Sequence, residues 1–285
     1  MSRRADTSPG RPRARSGGSP VGMKPRRHRT SALPILEFDG EPEALIEPSR
    51  IIRPIEIPER CVLPIYHTVL SKLAAESRLT HVADIQSAMG PFPVYRMDHG
   101  GAPITVMHPG ITAPFVAAVM DELIAMGCRT FVACGSAGVL DSGLHRGVVV
   151  VPGSAVRDEG TSYHYVAPSR EIAADPAVVE AIAATLRRHR VEFQVGKTWT
   201  TDGLYRETRT RIARRKAEGC LTVEMECAAF LAVAQFRGVR FGQLLATGDD
   251  VSGQEWDRRD YGTEKHVEFS DRLFWLAVEA CLALP

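Results

Sequence analysis

From Cys61 onward the chain alternates short apolar runs with stretches whose apolar residues recur at helical spacing. Cys61-Val62-Leu63-Pro64-Ile65 reads as a strand, and Val69, Leu70, Leu73 and Ala74 then mark a helix. Two further strands are predicted near Val94–Met97 and Ile104–Met107. Val116, Val119, Met120, Leu123 and Ile124 lie on one face of a helix that stops at Gly127, a residue suited to helix ends. Buried strands follow at Phe131–Cys134 and Gly147–Pro152. The remainder predicts a helix near 175 to 190, a strand near Val195–Thr200, a helix near 207 to 217, a strand at Gln243–Ala246 and a closing helix. Strands alternating with helices predict an α/β class with a predominantly parallel sheet covered by helices on its faces. Residues 31–60, rich in Pro, Ile and Glu, read as an extended arm leading into a single domain at 61–285, and internal repeats are not apparent.

Within this pattern Thr222-Val223-Glu224-Met225-Glu226-Cys227-Ala228-Ala229-Phe230 stands out, because two carboxylates bracket a methionine where a strand-like run becomes an Ala-rich helix. Desolvating an unpaired carboxylate costs several kcal/mol, so both acids need donors. Either they open a helix, where the macrodipole favours acids by roughly 0.3–1 kcal/mol, or they await the hydroxyls of a ligand such as a sugar diol.

Composition narrows the classes. With 44% hydrophobic and 24% charged residues the chain suits a soluble globular domain. Nine Arg or Lys against Asp6 make residues 1–30 a +8 tail, so with +1 overall the rest is −7. The tail is too polar to fold alone and is expected to be disordered, or to precede the true start, since Met23 lies within it. An acidic body argues against a nucleic-acid substrate. No signal-type apolar region is present, and no run of about 18 or more apolar residues that would span a bilayer, so a cytoplasmic location without membrane attachment is expected. Six scattered cysteines without a CxxC pair predict buried free thiols, and neither disulfides nor a metal site.

Gly135-Ser136-Ala137-Gly138 reads as a turn after a strand, where glycines admit close backbone approach and Ser136 faces a ligand oxygen; it lacks the lysine of a phosphate-binding P-loop. Taken together, Gly110-Ile111-Thr112-Ala113-Pro114, Gly135–Leu140, Ala155–Tyr165, Thr200–Tyr205, Val223–Glu226 and Thr247-Gly248-Asp249-Asp250 resemble the nucleoside phosphorylase and nucleosidase superfamily, across about residues 58 to 252.

The resemblance implies a partly barrel-like mixed sheet and cleavage of a nucleoside's N-glycosidic bond through an oxocarbenium-like sugar. It implies that Glu226 grips the ribose hydroxyls, Met225 packs under the sugar and Glu224 supports the loop. Asp249, with Asp250 as the register alternative, would serve the leaving base as a proton donor. Leu204, Tyr205 and Arg209 would line the base pocket. Gly135, Ser136 and His108, with His67 nearby, would bind phosphate or the attacking water. No cofactor is implied beyond inorganic phosphate as co-substrate, and the partner is a small nucleoside. A homo-oligomer (dimer, trimer or hexamer) is implied, with the 31–60 arm reaching across an interface.

One departure stands out. Where the family has Gly-Asp-Pro-x-Arg this chain has Ile65-Tyr66-His67-Thr68-Val69, and the second phosphate arginine is replaced by Ala133. A guanidinium offers bidentate bonds to phosphate that neither replacement supplies. If Arg157 or Arg209 enters the site, the enzyme is a phosphorylase of a purine nucleoside or uridine, the reading placed first. If neither does, it is a phosphate-independent nucleosidase. A non-catalytic nucleoside-binding protein is the third reading.

Overall fold

The computed structural model describes residues 30–259 and 262–284, so nearly all of the basic 1–30 segment lies outside the described residues. The arm, residues 30–59, is largely exposed and holds a 3-10 turn at Pro34–Leu36 and a four-residue helix α1 (Pro48–Ile51). It is tied to the body where Ile55 donates its N–H to Met126 O and where Arg237 bonds buried Glu47.

The body runs β1 (Arg60–Pro64), α2 (His67–Ala75), β2 (Thr80–Ser87), β3 (Gly90–His99), β4 (Ala102–Val106), α3 (Ala113–Met126), β5 (Thr130–Val139) and β6 (Val149–Asp158). There follow β7 (Glu171–Ala173), α4 (Pro176–Arg188), β8 (Phe193–Thr201), α5 (Arg209–Ala217), β9 (Cys220–Glu224), α6 (Cys227–Arg237), β10 (Arg240–Asp250) and α7 (Glu264–Ala283). These form one mixed α/β domain. Strands β5, β10, β6, β8 and β9 pair in a cycle, because β5 bonds both β9 and β10 and so closes the sheet into a barrel-like ring. From β5 the sheet continues outward through β1 and β4 to the antiparallel β3 and β2.

Strand β1 shows why the inner strands are continuous apolar runs. Cys61 and Leu63 pack in the cluster with α3 and α6, whereas Val62 packs on the opposite face with α2, α4 and α7. Phe131 and Ala133 against Val132 and Cys134 repeat the alternation in β5. A strand covered by helices on both faces has no polar side. All six cysteines are buried free thiols. Among the described residues no helix is long and apolar enough to cross a membrane, and no cluster of three or more His, Cys, Asp or Glu is placed to hold a metal.

The segment read as a Gly/Ser turn is instead the second half of β5, which runs unbroken to Val139. Its glycines serve packing rather than reversal. A Cβ on Gly135 would sit 3.3 Å from Ile65, and one on Gly138 3.0 Å from Val223 Cγ1, so their absence lets β5 bend from β1 toward β9.

Candidate active site

Strand β9 ends at Glu224 and α6 begins three residues later, so the Glu-Met-Glu segment is the bend between them. Glu224 Oε2 accepts N–H bonds from Glu226 (2.8 Å) and Cys227 (2.6 Å), while Oε1 accepts from Thr200 Oγ1 at 2.6 Å. The same Thr200 oxygen accepts from Ala228 N at 3.0 Å. Glu224 thus occupies the open N–H groups of α6, the helix-opening role, and its oxygens point inward. Burial, then the adjacent Glu226 charge, pushes its pKa up, against the pull of these donors.

Glu226 is 6% exposed, and its contacts leave more of its acceptor capacity unused. Oε1 accepts the Thr112 N–H at 2.8 Å and Oε2 the Met225 N–H at 3.3 Å. A carboxylate has about four lone-pair directions, so two remain for a ligand diol. Burial raises its pKa while these two N–H groups oppose the shift. Half-buried Met225 lies between the two acids.

The loop that supplies Thr112 is strained. Thr112 has φ 74° and ψ 145°, a region that β-branched residues avoid. Gly110, at φ 78°, could not be replaced, since a Cβ there would lie 2.1 Å from the Phe115 ring. His108 Nδ1 accepts the Gly110 N–H at 3.0 Å, which shapes the same loop.

Val69 and Ala133, the two positions expected to replace phosphate arginines, are buried in apolar clusters. His67, the first residue of α2, lies with its ring centroid 6.3 Å from that of His108. Burial, then His67, lowers the His108 pKa. Gly135 is buried and Ser136 half-buried in β5. The two arginines considered as replacement cations differ in how far they are engaged. Buried Arg157 donates to Ser162 Oγ (2.8 Å), Ala167 O (2.7 Å), Ser169 Oγ (2.8 Å) and Val166 O (3.1 Å), organising the loop after β6. Arg209 donates to Gln254 O at 2.7 Å. The acceptors of its own loop thus occupy Arg157, whereas Arg209, exposed, commits one donor to Gln254 O and keeps the rest.

The base-pocket residues divide. Leu204 and Tyr205, on a 3-10 turn, are 52% and 94% exposed, so in a single chain they wall nothing. Asp249, near the end of β10, is half-buried and accepts the Trp256 Nε1–H on Oδ2 at 2.6 Å. Asp250 is structural: Arg259 bonds its Oδ2 at 2.9 Å, Ser252 N its Oδ1 at 2.8 Å, and its backbone pairs with Asp257. These partners lower its pKa despite burial, which removes it as a proton donor. Glu207, between the 3-10 turn and α5, has its pKa pushed up to about 7 by burial first and by the charge of Asp249 second. Sequence reasoning missed Glu207, which lies in a polar stretch without periodic signal. Trp256 was missed too, although a lone tryptophan in a polar segment after Asp249 was a visible signal.

A family model described as phosphorylase superfamily matches residues 70–277. The guanosine phosphorylase of Halorubrum lacusprofundi is 26% identical over 196 residues, covering 68% of this chain and 81% of that protein. The uridine phosphorylase of Treponema pallidum is 30% identical over 190 residues, covering 62% and 72%. Among solved structures, AMP nucleosidase from Bacteroides thetaiotaomicron superposes with a TM-score of 0.64 at 18% identity, over 79% of this chain and 87% of that one, a likeness of fold.

Proposed function

Because the chain belongs to the phosphorylase superfamily, we propose that it is a nucleoside phosphorylase. It cleaves the N-glycosidic bond of a purine nucleoside or uridine with inorganic phosphate, yielding free base and ribose 1-phosphate, and needs no other cofactor. The observation that carries this reading is the Glu226 carboxylate, buried yet only partly satisfied by Thr112 and Met225, at the bend of the Glu-Met-Glu segment. Bonds from the 2′- and 3′-hydroxyls orient the ribose, and the nearby negative charge stabilises the oxocarbenium character that grows at C1′. Asp249, half-buried near the end of β10, is assigned as the proton donor to the departing base, which fits a purine, whose ring nitrogen N7 accepts one.

A second reading is favoured by a specific observation: Val69 and Ala133 are buried and apolar, and Arg157 is occupied by the loop after β6. A site without guanidinium groups admits water, making the enzyme a nucleosidase, and His108 or Ser136 then orients that water. Incubation with inosine, guanosine, adenosine and uridine, with and without phosphate, followed by chromatography of products, tests both. Free base and ribose 1-phosphate only with phosphate supports the first reading, and free ribose without phosphate the second. No turnover of any nucleoside rejects both in favour of a non-catalytic binding protein.

A further inference from the structure

Between the end of β4 and the start of α3 the chain makes two hydrogen bonds in succession. His108 Nδ1 accepts the Gly110 N–H at 3.0 Å, and the Thr112 N–H donates to Glu226 Oε1 at 2.8 Å. Gly110 is buried, so its N–H needs that acceptor. A side-chain acceptor on the N–H two residues ahead is the bond that Asn and Asp make in Asx turns. Here an imidazole makes it, which requires Nδ1 bare and the proton on Nε2. Ile111, between the two bonded positions, has its side chain 60% exposed and lends the loop little packing. Thr112 beyond it is held at φ 74°, a conformation that lasts only while its surroundings enforce it.

We propose that neutral His108 is a positioning residue for the ribose: by holding the Gly110 N–H it keeps the loop in the form that delivers the Thr112 N–H to Glu226. The inference rests on the reading of Glu226 as acceptor of the ribose hydroxyls, and it holds whether phosphate or water attacks. Glu226 is 6% exposed, and burial favours its protonated form, while the Thr112 and Met225 N–H groups favour the carboxylate. Losing the Thr112 bond leaves a carboxyl that is more easily protonated and less firmly oriented, a poorer acceptor for a diol.

Protonation of His108 undoes this bracket, since an imidazolium carries donors at both nitrogens and repels the Gly110 N–H. The titratable groups facing the loop are His67 on α2, whose ring centroid lies 6.3 Å from that of His108, and Glu226 from the bend between β9 and α6. Burial, then the His67 charge, keeps His108 neutral to below the ordinary histidine value of 6.5. At neutral pH the loop is therefore set for the sugar, and as pH falls through the lowered His108 pKa the loop lets go.

The test compares nucleoside KM from about pH 5 to 8 in wild type, His108→Asn, His108→Leu and Glu226→Gln, on whichever of guanosine, inosine and uridine wild type cleaves best with phosphate present. His108→Asn supplies an acceptor that no pH in this range removes, whereas His108→Leu supplies none. At about pH 7.5 His108→Leu should raise KM about tenfold, the effect of one buried N–H without its acceptor, and His108→Asn should bring KM to within about threefold of wild type, whatever each does to kcat. On acidification the wild-type KM should rise more than that of His108→Asn. Glu226 gains its proton in both, so the difference reports His108. Combining His108→Leu with Glu226→Gln should give a KM no worse than Glu226→Gln alone, because the two act through one bond. Equal KM in all three His108 forms, an Asn variant as weak as the Leu variant, or additive losses in the double variant overturn the proposal. Failure to turn over any nucleoside rejects the function proposed above, and the bracket is then read from 15N ring shifts of labelled protein. A Nε2–H tautomer near neutral pH, with a Gly110 amide signal that moves as His108 titrates and stays put in His108→Asn, supports it; a Nδ1–H tautomer overturns it.

Discussion

Replacing Glu226 by Gln is the sharpest perturbation of the sugar end. In the native chain Glu226 accepts N–H bonds from Thr112 at 2.8 Å and Met225 at 3.3 Å. Glutamine keeps one oxygen for Thr112 and presents an NH2 toward the Met225 N–H and the ribose. One hydroxyl bond becomes neutral and the other is lost. Hydrogen bonds to charged groups contribute about 1.5–3 kcal/mol and neutral ones about 0.5–1.5 kcal/mol. The combined loss is therefore about 2–4 kcal/mol, on the order of 30- to 1000-fold in kcat/KM. Steady-state kinetics on the best nucleoside, with thermal unfolding as a control for folding, measures it. The same loss is expected whether phosphate or water attacks, since Glu226 acts on the sugar. A folded variant within about threefold of wild type would refute the ribose role.

Thr112→Gly keeps the N–H on Glu226 and relieves backbone strain of about 1–3 kcal/mol, partly offset by about 0.5–1 kcal/mol of unfolded-state entropy. Urea unfolding should therefore show equal or greater stability, and a clear loss would mean Thr112 is unstrained. Arg157→Met strands the buried Ser162 Oγ and releases the part-buried Ala167 O and Val166 O, for which we expect a cost of about 2–4 kcal/mol; a drop below about 1 kcal/mol in the same assay would contradict that role. For Glu224 the folded pKa is raised above its unfolded value. Its stabilising contribution is thus fully present below the unfolded pKa of about 4.3 and is lost as pH rises through the folded one. The thermal midpoint of Glu224→Gln should fall less between pH 5 and 8 than that of wild type, and parallel curves would argue against a raised Glu224.

Much of this could be read before any coordinates. Helix α3 starts after Thr112 and stops at Gly127 because its apolar spacing and terminal glycine are local signals. The Glu-Met-Glu segment announced itself because two acids in an apolar context demand donors. Gly135 and Gly138 misled, since a glycine that permits a turn and one that permits close strand packing look identical in one dimension. Arg157 also looked available, because nothing local shows that four acceptors in its own loop consume it.

By itself, then, the sequence determined the alternation of elements, the strands covered on both faces and the concentration of chemistry around Glu226 and Asp249. These depend on hydrophobic periodicity and on the cost of burying charge, which neighbours in the chain already express. Only the tertiary structure decided that Thr112 donates to Glu226 across 114 positions and that Arg259 retires Asp250. It likewise decided that Glu207 is half-buried, its pKa raised by that burial and then by the charge of Asp249. Such pairings arise from closure of the β5–β10–β6–β8–β9 ring, which brings remote residues within hydrogen-bond or Coulomb range, and at those distances position in space sets the chemistry.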